Sequence, residues 1–186
     1  MNHVGRIARY FLYLLMVFFV GIAMGLIYSL LQPEKAVEYM KTIAQQLGSL
    51  SKSPFKNFIT IFVHNSWVAL LTLISGLFFG IGPAILVMTN GFVVGLVVGV
   101  LWENGMPPRT LVLGLTPHGI FEIPAFILAG VAGVCWYKKI VEDKDRGRGF
   151  KEGASFALRM YGVVLAMLLV AAFIEAYITP NVASLG

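Results

Sequence analysis

The sequence predicts an all-α membrane protein, a bundle of five transmembrane helices with one additional amphipathic helix. Apolar residues make up 58% of the 186 residues and charged residues only 12%, whereas soluble domains carry about 25% charged residues. The charges cluster between long uncharged runs. The longest run, Asn57–Trp102, has 46 residues and as one helix would measure roughly 69 Å, over twice the bilayer core. It must therefore fold back.

The first predicted span covers residues 10–31, 22 positions without a charge, which is long enough to cross a core of about 30 Å. A basic leader with Arg6 and Arg9 precedes it. A cleaved signal peptide is the competing interpretation, but its apolar region would be about 7–15 residues and would end in an A-x-A-like site. We therefore expect a retained span, in which Gly21 and Gly25 form a close-packing pair.

An amphipathic helix is predicted over residues 33–50, outside the membrane core. Its charged and amide side chains occupy one side, and its apolar side chains recur at helical spacing on the other: Ala36, Met40, Ile43, Leu47 and Leu50. This pattern is typical of a helix lying on the membrane or on the protein itself. A partner-binding face is the alternative, and interfacial packing is the plainer interpretation.

The long uncharged run divides at Gly80-Ile81-Gly82-Pro83 into spans 58–80 and 84–101, because glycine and proline end helices. The later span carries glycines at four-residue spacing, which predicts a smooth groove for another helix. The groove serves either a second copy of the chain or an intramolecular neighbour, and in a small bundle the neighbour is commoner. These helix-packing glycines are Gly91, Gly95 and Gly99.

The fourth predicted span covers 117–137. Residues 103–116 are expected to form a connector, since it contains two adjacent prolines and at most a short helical piece. Thr116 is a suitable N-cap and Pro117 suits the first helical position. We therefore expect the helix to begin there.

The most charged region, residues 138–153, is predicted to be a solvated loop that leads into a fifth span over 155–178. Thr179-Pro180 ends that span, because proline cannot continue a helix. Residues 1–186 are thus expected to form one membrane domain.

Lysine and arginine predict the orientation. With five spans, the amino terminus and the 138–159 region share one side of the membrane, and this side holds nine basic residues against five on the other. The richer side is cytoplasmic by the positive-inside rule, which places the amino terminus inside and the carboxyl terminus outside. The nine are Arg6, Arg9, Lys138, Lys139, Lys144, Arg146, Arg148, Lys151 and Arg159; the five are Lys35, Lys41, Lys52, Lys56 and Arg109.

Polar side chains interrupt the apolar fourth span near its start. His118 and Glu122 are four residues apart and so lie on one helix face. Pro124 removes the hydrogen bond to the carbonyl of Ile120 and leaves that oxygen free one turn from the acid. The same face continues through small residues toward the neighbouring helices: Ala125, Ala129 and Ala132.

Branched residues of this span, among them Ile120 and Ile127, are expected to face lipid. In the second span, a comparable seam of small and polar residues is predicted along Asn65, Ala69, Thr72, Gly76 and Gly80.

Three interpretations of the His118–Glu122 pair remain open. The pair stabilises helix packing, because ionisable residues in membranes face the interior and find partners there; it binds a proton or cation; or it belongs to an intramembrane enzyme. The third is the weakest, since the H-E-x-x-H pattern is absent and a zinc hydrolase needs three ligands with an open position. The sequence predicts no cofactor and leaves open whether a metal binds.

Depth along the predicted spans brings five polar residues toward the external face. Burying an unpaired carboxylate in hydrocarbon is costly, so we expect them to meet in one polar cluster. His64 is the weakest member because its direction on the helix differs from that of Asn65 by about 100°. The predicted cluster consists of Glu122, His118, Asn65, Glu175 and His64.

Several spaced motifs resemble the signature of the stage II sporulation protein M family. They are Pro117-His118-Gly119-x-x-Glu122-x-Pro124-Ala125 with Ala129-Gly130-x-x-Gly133; His64-Asn65; Gly82-Pro83 with Asn90-Gly91; and Glu175 with Thr179-Pro180. The match runs over nearly the whole chain from about residue 58, and it is specific because four spaced pieces agree.

The resemblance implies a small polytopic membrane protein of bacteria or archaea. The namesake of spore formers is similar to a scaffold that holds a cell-wall hydrolase and a partner at the membrane during engulfment. Nothing in this sequence indicates sporulation. We therefore expect a non-enzymatic scaffold in a prokaryotic cell membrane. Its expected partners are the lipid bilayer, other membrane or cell-surface proteins and further copies of itself, and not nucleic acid. The alternative is a small proton or cation translocator that uses Glu122.

Overall fold

Residues 3–47 and 51–179 are described by a computed structural model, apart from the side chains at positions 3, 4, 44, 46, 47 and 118. Over this part the regular structure is entirely helical, and five helical segments are long and apolar enough to cross a membrane. The predicted fold class is thereby confirmed. The helices are α1 His3–Leu31, α2 Pro33–Leu47, α3 Pro54–Ser75, α4 Gly82–Glu103, α5 Pro108–Glu142 and α6 Arg146–Phe173. A π-helical turn over Ile174–Ile178 follows α6 directly.

Helices α1 and α4 pack backbone against backbone along the predicted glycine groove. Gly91 lies on Phe18, and Gly95 lies on Ile22. The contacts advance in the same direction along both helices, so α1 and α4 run parallel, as the first and third spans of an alternating bundle must. The groove on α4 therefore serves an intramolecular neighbour, and the glycines of α1 face α4 in return.

Helix α5 lies at the centre of the bundle and contacts α1, α3, α4 and α6. Gly76, which follows α3, meets the backbone of Gly133, and α3 runs parallel to α5, as the second and fourth spans of an alternating bundle must. Helices α5 and α6 form an antiparallel hairpin in which Gly149 lies against the backbone of Lys139 and Gly153 lies against Trp136. Glycine at these positions permits the close approach of the two helices.

Helix α2 is docked on α4. Its Ala36 is fully buried in a cluster with Leu96 and Val100, near the carboxyl end of α4. The rings of Tyr39 and Phe92 are 6.4 Å apart. The amphipathic helix is therefore confirmed as far as Leu47, packed against the protein, while its predicted end at residues 48–50 lies outside the described part of the chain.

The predicted start of the fourth helix at Thr116 is wrong. Helix α5 begins at Pro108, so that Pro117 and Pro124 both lie inside it. Each proline costs one backbone hydrogen bond, but within a bundle neighbouring groups and small adjustments can compensate for that loss. The part of α5 suited to crossing the membrane, Gly119–Glu142, still starts close to the predicted span.

The predicted loop over residues 138–153 is also largely helical. Helix α5 continues to Glu142, and α6 already begins at Arg146. The carboxylate of Asp145 caps α6 by accepting hydrogen bonds from the backbone N–H groups of Gly147 and Arg148, at 2.9 and 3.2 Å. This cap satisfies two of the backbone N–H groups that the start of a helix leaves without an intrahelical partner.

The turn between α3 and α4 confirms the predicted break, although α3 ends at Ser75, five residues earlier than expected. Two residues of the turn, Phe79 and Gly80, have positive φ angles of 55° and 72°. This left-handed conformation reverses the chain and favours glycine at the second position.

Candidate polar site within the bundle

Two glutamates occupy neighbouring elements of the bundle. Glu122 lies on α5, and Glu175 lies in the π-helical turn that ends α6 and packs against both α3 and α5. Their carboxyl groups are near enough for their charges to interact.

Asn65 is buried on the face of α3 that packs into the bundle, in line with Ala69 and Thr72. Helices α3 and α5 are parallel, with Gly76 against Gly133. Asn65 lies eleven residues before Gly76, and Glu122 lies eleven residues before Gly133. They therefore lie at about the same level of the bundle, although their mutual contact stays a prediction.

The two histidines of the predicted cluster differ from these residues. His64 is exposed on the surface of α3, consistent with its rotation away from Asn65. His118 belongs to the helical backbone of α5, but its side chain lies outside the described part of the structure. The histidine contribution to the cluster thus stays a prediction.

The small-residue face of α5 is completely buried, as its spacing predicts: Ala125, Ala129 and Ala132 have no exposed surface. The expectation that branched residues face lipid holds for Ile120, which is 61% exposed, and is wrong for Ile127, which is fully buried with Leu14 and Val131. The reason is the central position of α5, which has neighbours on more than one side.

The arrangement can act in two ways. Two carboxyl groups whose charges interact, with a carboxamide at about the level of one of them, can bind a proton or a small cation between helices. They can also hold α3, α5 and the end of α6 in register through hydrogen bonds. Among the described side chains, no group of three or more histidine, cysteine, aspartate or glutamate residues is arranged to hold a metal ion.

Three features of the bundle were not predicted. The π-helical turn around Glu175 carries no signal in the sequence, although such turns are frequent at functional sites. The hydroxyl of Tyr161 donates a 2.8 Å hydrogen bond to the carbonyl of Ser66 and so ties α6 to α3. Gly149 and Gly153 form the α5–α6 contact; their four-residue spacing could have revealed it.

Comparison with known proteins agrees with the predicted resemblance. The family model described as Stage II sporulation protein M matches residues 14–180. An uncharacterized protein of Methanocaldococcus jannaschii is 33% identical over 131 residues, which cover 69% of this chain and 74% of the relative. No solved structure gives a significant match.

Proposed function

This chain belongs to the stage II sporulation protein M family, and from that premise we propose that it is a non-enzymatic scaffold. It is an integral membrane protein with several spans. Its partners are other membrane or cell-surface proteins of a prokaryotic cell, held in place relative to the bilayer.

The observation that supports a scaffold best is the way α2 is presented. Its apolar side is fixed on α4 through the fully buried Ala36, while the charged side chains on its other side, including Lys35, Glu38 and Lys41, are exposed. A helix docked in this way offers a polar surface of fixed position and orientation. Such preorganisation lowers the entropic cost of binding a partner.

We infer the side of the membrane from the distribution of basic residues. The nine basic residues near the amino terminus and in the 138–159 region, against five on the other side, favour a cytoplasmic amino terminus. Alternation of five spans then puts α2 and the carboxyl terminus outside the cell. We therefore propose an extracytoplasmic partner for the exposed face of α2.

Site-specific photocrosslinking in cells tests this proposal. A crosslinking residue in place of Lys41 should give a discrete adduct, and the double change Lys35→Glu and Glu38→Lys should abolish it because the charge pattern is inverted. A crosslinker at Phe19, an exposed apolar position of α1, is the control and should react mainly with lipid. An adduct that survives the charge inversion would contradict the proposal.

A translocator is the second candidate, and it is favoured by the interacting carboxyl groups of Glu122 and Glu175 together with the buried Asn65. Glu122→Gln separates the two functions. A scaffold should keep its Lys41 adduct in this variant, whereas a translocator should lose proton or cation flux in reconstituted vesicles. Flux by the unchanged protein that disappears in Glu122→Gln would establish translocation instead.

A further inference from the structure

A basic cavity opens at the end of the bundle opposite to α2. Its volume is about 440 Å³, and it lies between the start of α1 and the α5–α6 turn. We name it the basic cavity; its lining residues are Arg6, Tyr10, Cys135, Lys138, Lys139, Glu142, Asp143, Lys144 and Arg148. Five of these side chains are basic and two are acidic, so the lining carries an excess of positive charge.

Both acidic residues of the cavity are already paired. Arg6 donates to the carboxylate of Glu142 at 2.9 Å, and Arg148 donates to Asp143 at 2.8 Å. The hydrogen bonds from Arg148 hold the pKa of Asp143 below its usual range, so this pair persists at neutral pH. The remaining cations are therefore not neutralised by these two carboxylates.

The lysines provide the unbalanced charge. Lys139 pairs with Glu152, which lies outside the cavity lining. Within the described part of the chain, Lys138 and Lys144 make no ion pair. Both are exposed, and they come from the end of α5 and from the turn that follows it. The cavity thus presents two uncommitted ammonium groups to an anion.

A second cavity adjoins the first at Tyr10, which lines both. It has a volume of about 300 Å³, and apart from Arg9 its lining is aromatic, aliphatic or glycine: Tyr10, Tyr13, Leu14, Gly80 and Val134. Tyrosine at this position is typical of the membrane interface. A basic cavity and an apolar cavity that share one wall match a molecule with an anionic head and a hydrocarbon tail.

We propose that these adjoining cavities bind an anionic phospholipid, with its phosphate in the basic cavity and the start of an acyl chain along Tyr13 and Leu14. Basic pockets between membrane helices are known to take anionic headgroups. The positive-inside rule accounts for the excess of basic residues on this side but not for their concave arrangement beside an apolar cavity. This inference is independent of the proposed scaffold function.

Native mass spectrometry of the full-length protein in nonionic detergent tests the proposal. Phosphatidylglycerol should bind, and phosphatidylcholine with the same acyl chains should bind at least tenfold more weakly. Lys138→Ala with Lys144→Ala should weaken phosphatidylglycerol binding by about 25-fold, roughly fivefold for each lysine. The matched control is Lys35→Ala with Lys41→Ala on α2, which removes the same charge elsewhere and should leave binding unchanged.

The chain's single cysteine locates the bound lipid, because Cys135 lines the basic cavity. Alkylation of Cys135 should slow at least tenfold with saturating phosphatidylglycerol and should not slow with inorganic phosphate. Equal protection by inorganic phosphate would show a site for soluble phosphate and overturn the lipid proposal. If Cys135 proves unreactive, native mass spectrometry alone tests the proposal. The proposal is refuted if phosphatidylcholine binds as tightly as phosphatidylglycerol, or if the double lysine variant binds phosphatidylglycerol as tightly as the unchanged protein does.

Discussion

Substitution of Gly95 tests the central packing feature of the bundle. A Cβ atom at this position would lie 2.8 Å from the carbonyl carbon and 2.9 Å from the Cα of Ile22, on α1. Ordinary contacts begin at about 3.4 Å. The obstacle is backbone, which cannot rotate away as a side chain can. Gly95→Ala therefore forces α1 and α4 apart by at least about 0.6 Å, and Gly95→Leu forces them further apart.

The expected cost follows from overpacking. Extra carbon atoms in a well-packed contact typically cost about 1–3 kcal/mol, and separating α1 from α4 also weakens the neighbouring contact at Gly91. Replacing glycine with alanine in a helix returns up to about 1 kcal/mol of propensity. We expect Gly95→Ala to lose about 0–2 kcal/mol net, and Gly95→Leu to lose about 1–3 kcal/mol.

Gly162 is a matched control within the same chain. It is helical and exposed, and a Cβ atom there would meet nothing within 4 Å. Gly162→Ala should be neutral or stabilising by up to about 1 kcal/mol. Thermal unfolding in detergent, followed by circular dichroism, should rank Gly162→Ala above Gly95→Ala and Gly95→Ala above Gly95→Leu. Equal stability of Gly95→Leu and the control would refute the packing argument.

Three further predictions concern other elements. Asp145→Ala should lower stability by about 1 kcal/mol while Asp145→Asn should not, because only the first removes the α6 cap; equal melting temperatures of the two variants would contradict this. Tyr161→Phe should cost about 0.5–1.5 kcal/mol, as it removes a hydrogen bond to the backbone of α3, and no loss in thermal unfolding would argue against that bond. Cysteines at Gln45 and Gly147, in a Cys135→Ser background, should react with impermeant reagents from opposite sides of the membrane; labelling from one side only would exclude the orientation.

The number and approximate position of the spans could be predicted because they depend on local properties. The length of an uncharged segment and its mean hydropathy can be read from consecutive residues. A membrane helix also satisfies its own backbone hydrogen bonds within the segment. The glycine face of α4 was predictable for the same reason, since Gly91 and Gly95 must share one side of any helix. The partner of that face could not be predicted.

Helix boundaries were predicted less well where local rules conflict with packing. Pro117 suits a first helical position, but α5 extends back to Pro108. The charged residues after Tyr137 suggest a loop, yet α5 and α6 continue through most of that region because Gly149 and Gly153 let the two helices meet there. Neither continuation follows from the composition of the segments involved.

The sequence allowed us to name candidate residues for the site, but it did not allow us to predict how these residues are arranged relative to one another. Helical rotation alone separates the buried Asn65 from the exposed His64. The common level of Asn65 and Glu122, in contrast, depends on the contact between Gly76 and Gly133 on two helices that are not consecutive. Glu175 lies in the π-helical turn that follows α6, for which the sequence has no recognised signal.

Helix α1 connects the two ends of the molecule that the proposals involve. Its 29 residues span about 43 Å, with the basic cavity at its start and α2 directly after its end. The backbone hydrogen bonds of Gln32 with Tyr28 and Ala36 carry the chain from α1 into α2. Because glycines hold α1 against α4, and Ala36 holds α2 against the same helix, α2 is fixed to a rigid pair. A substitution that separates this pair at Gly95 should therefore displace α2 and reduce its crosslinking, while Glu122→Gln leaves both contacts intact. The scaffold proposal thus requires that a substitution of Gly95 reduce crosslinking at α2 more than Glu122→Gln does.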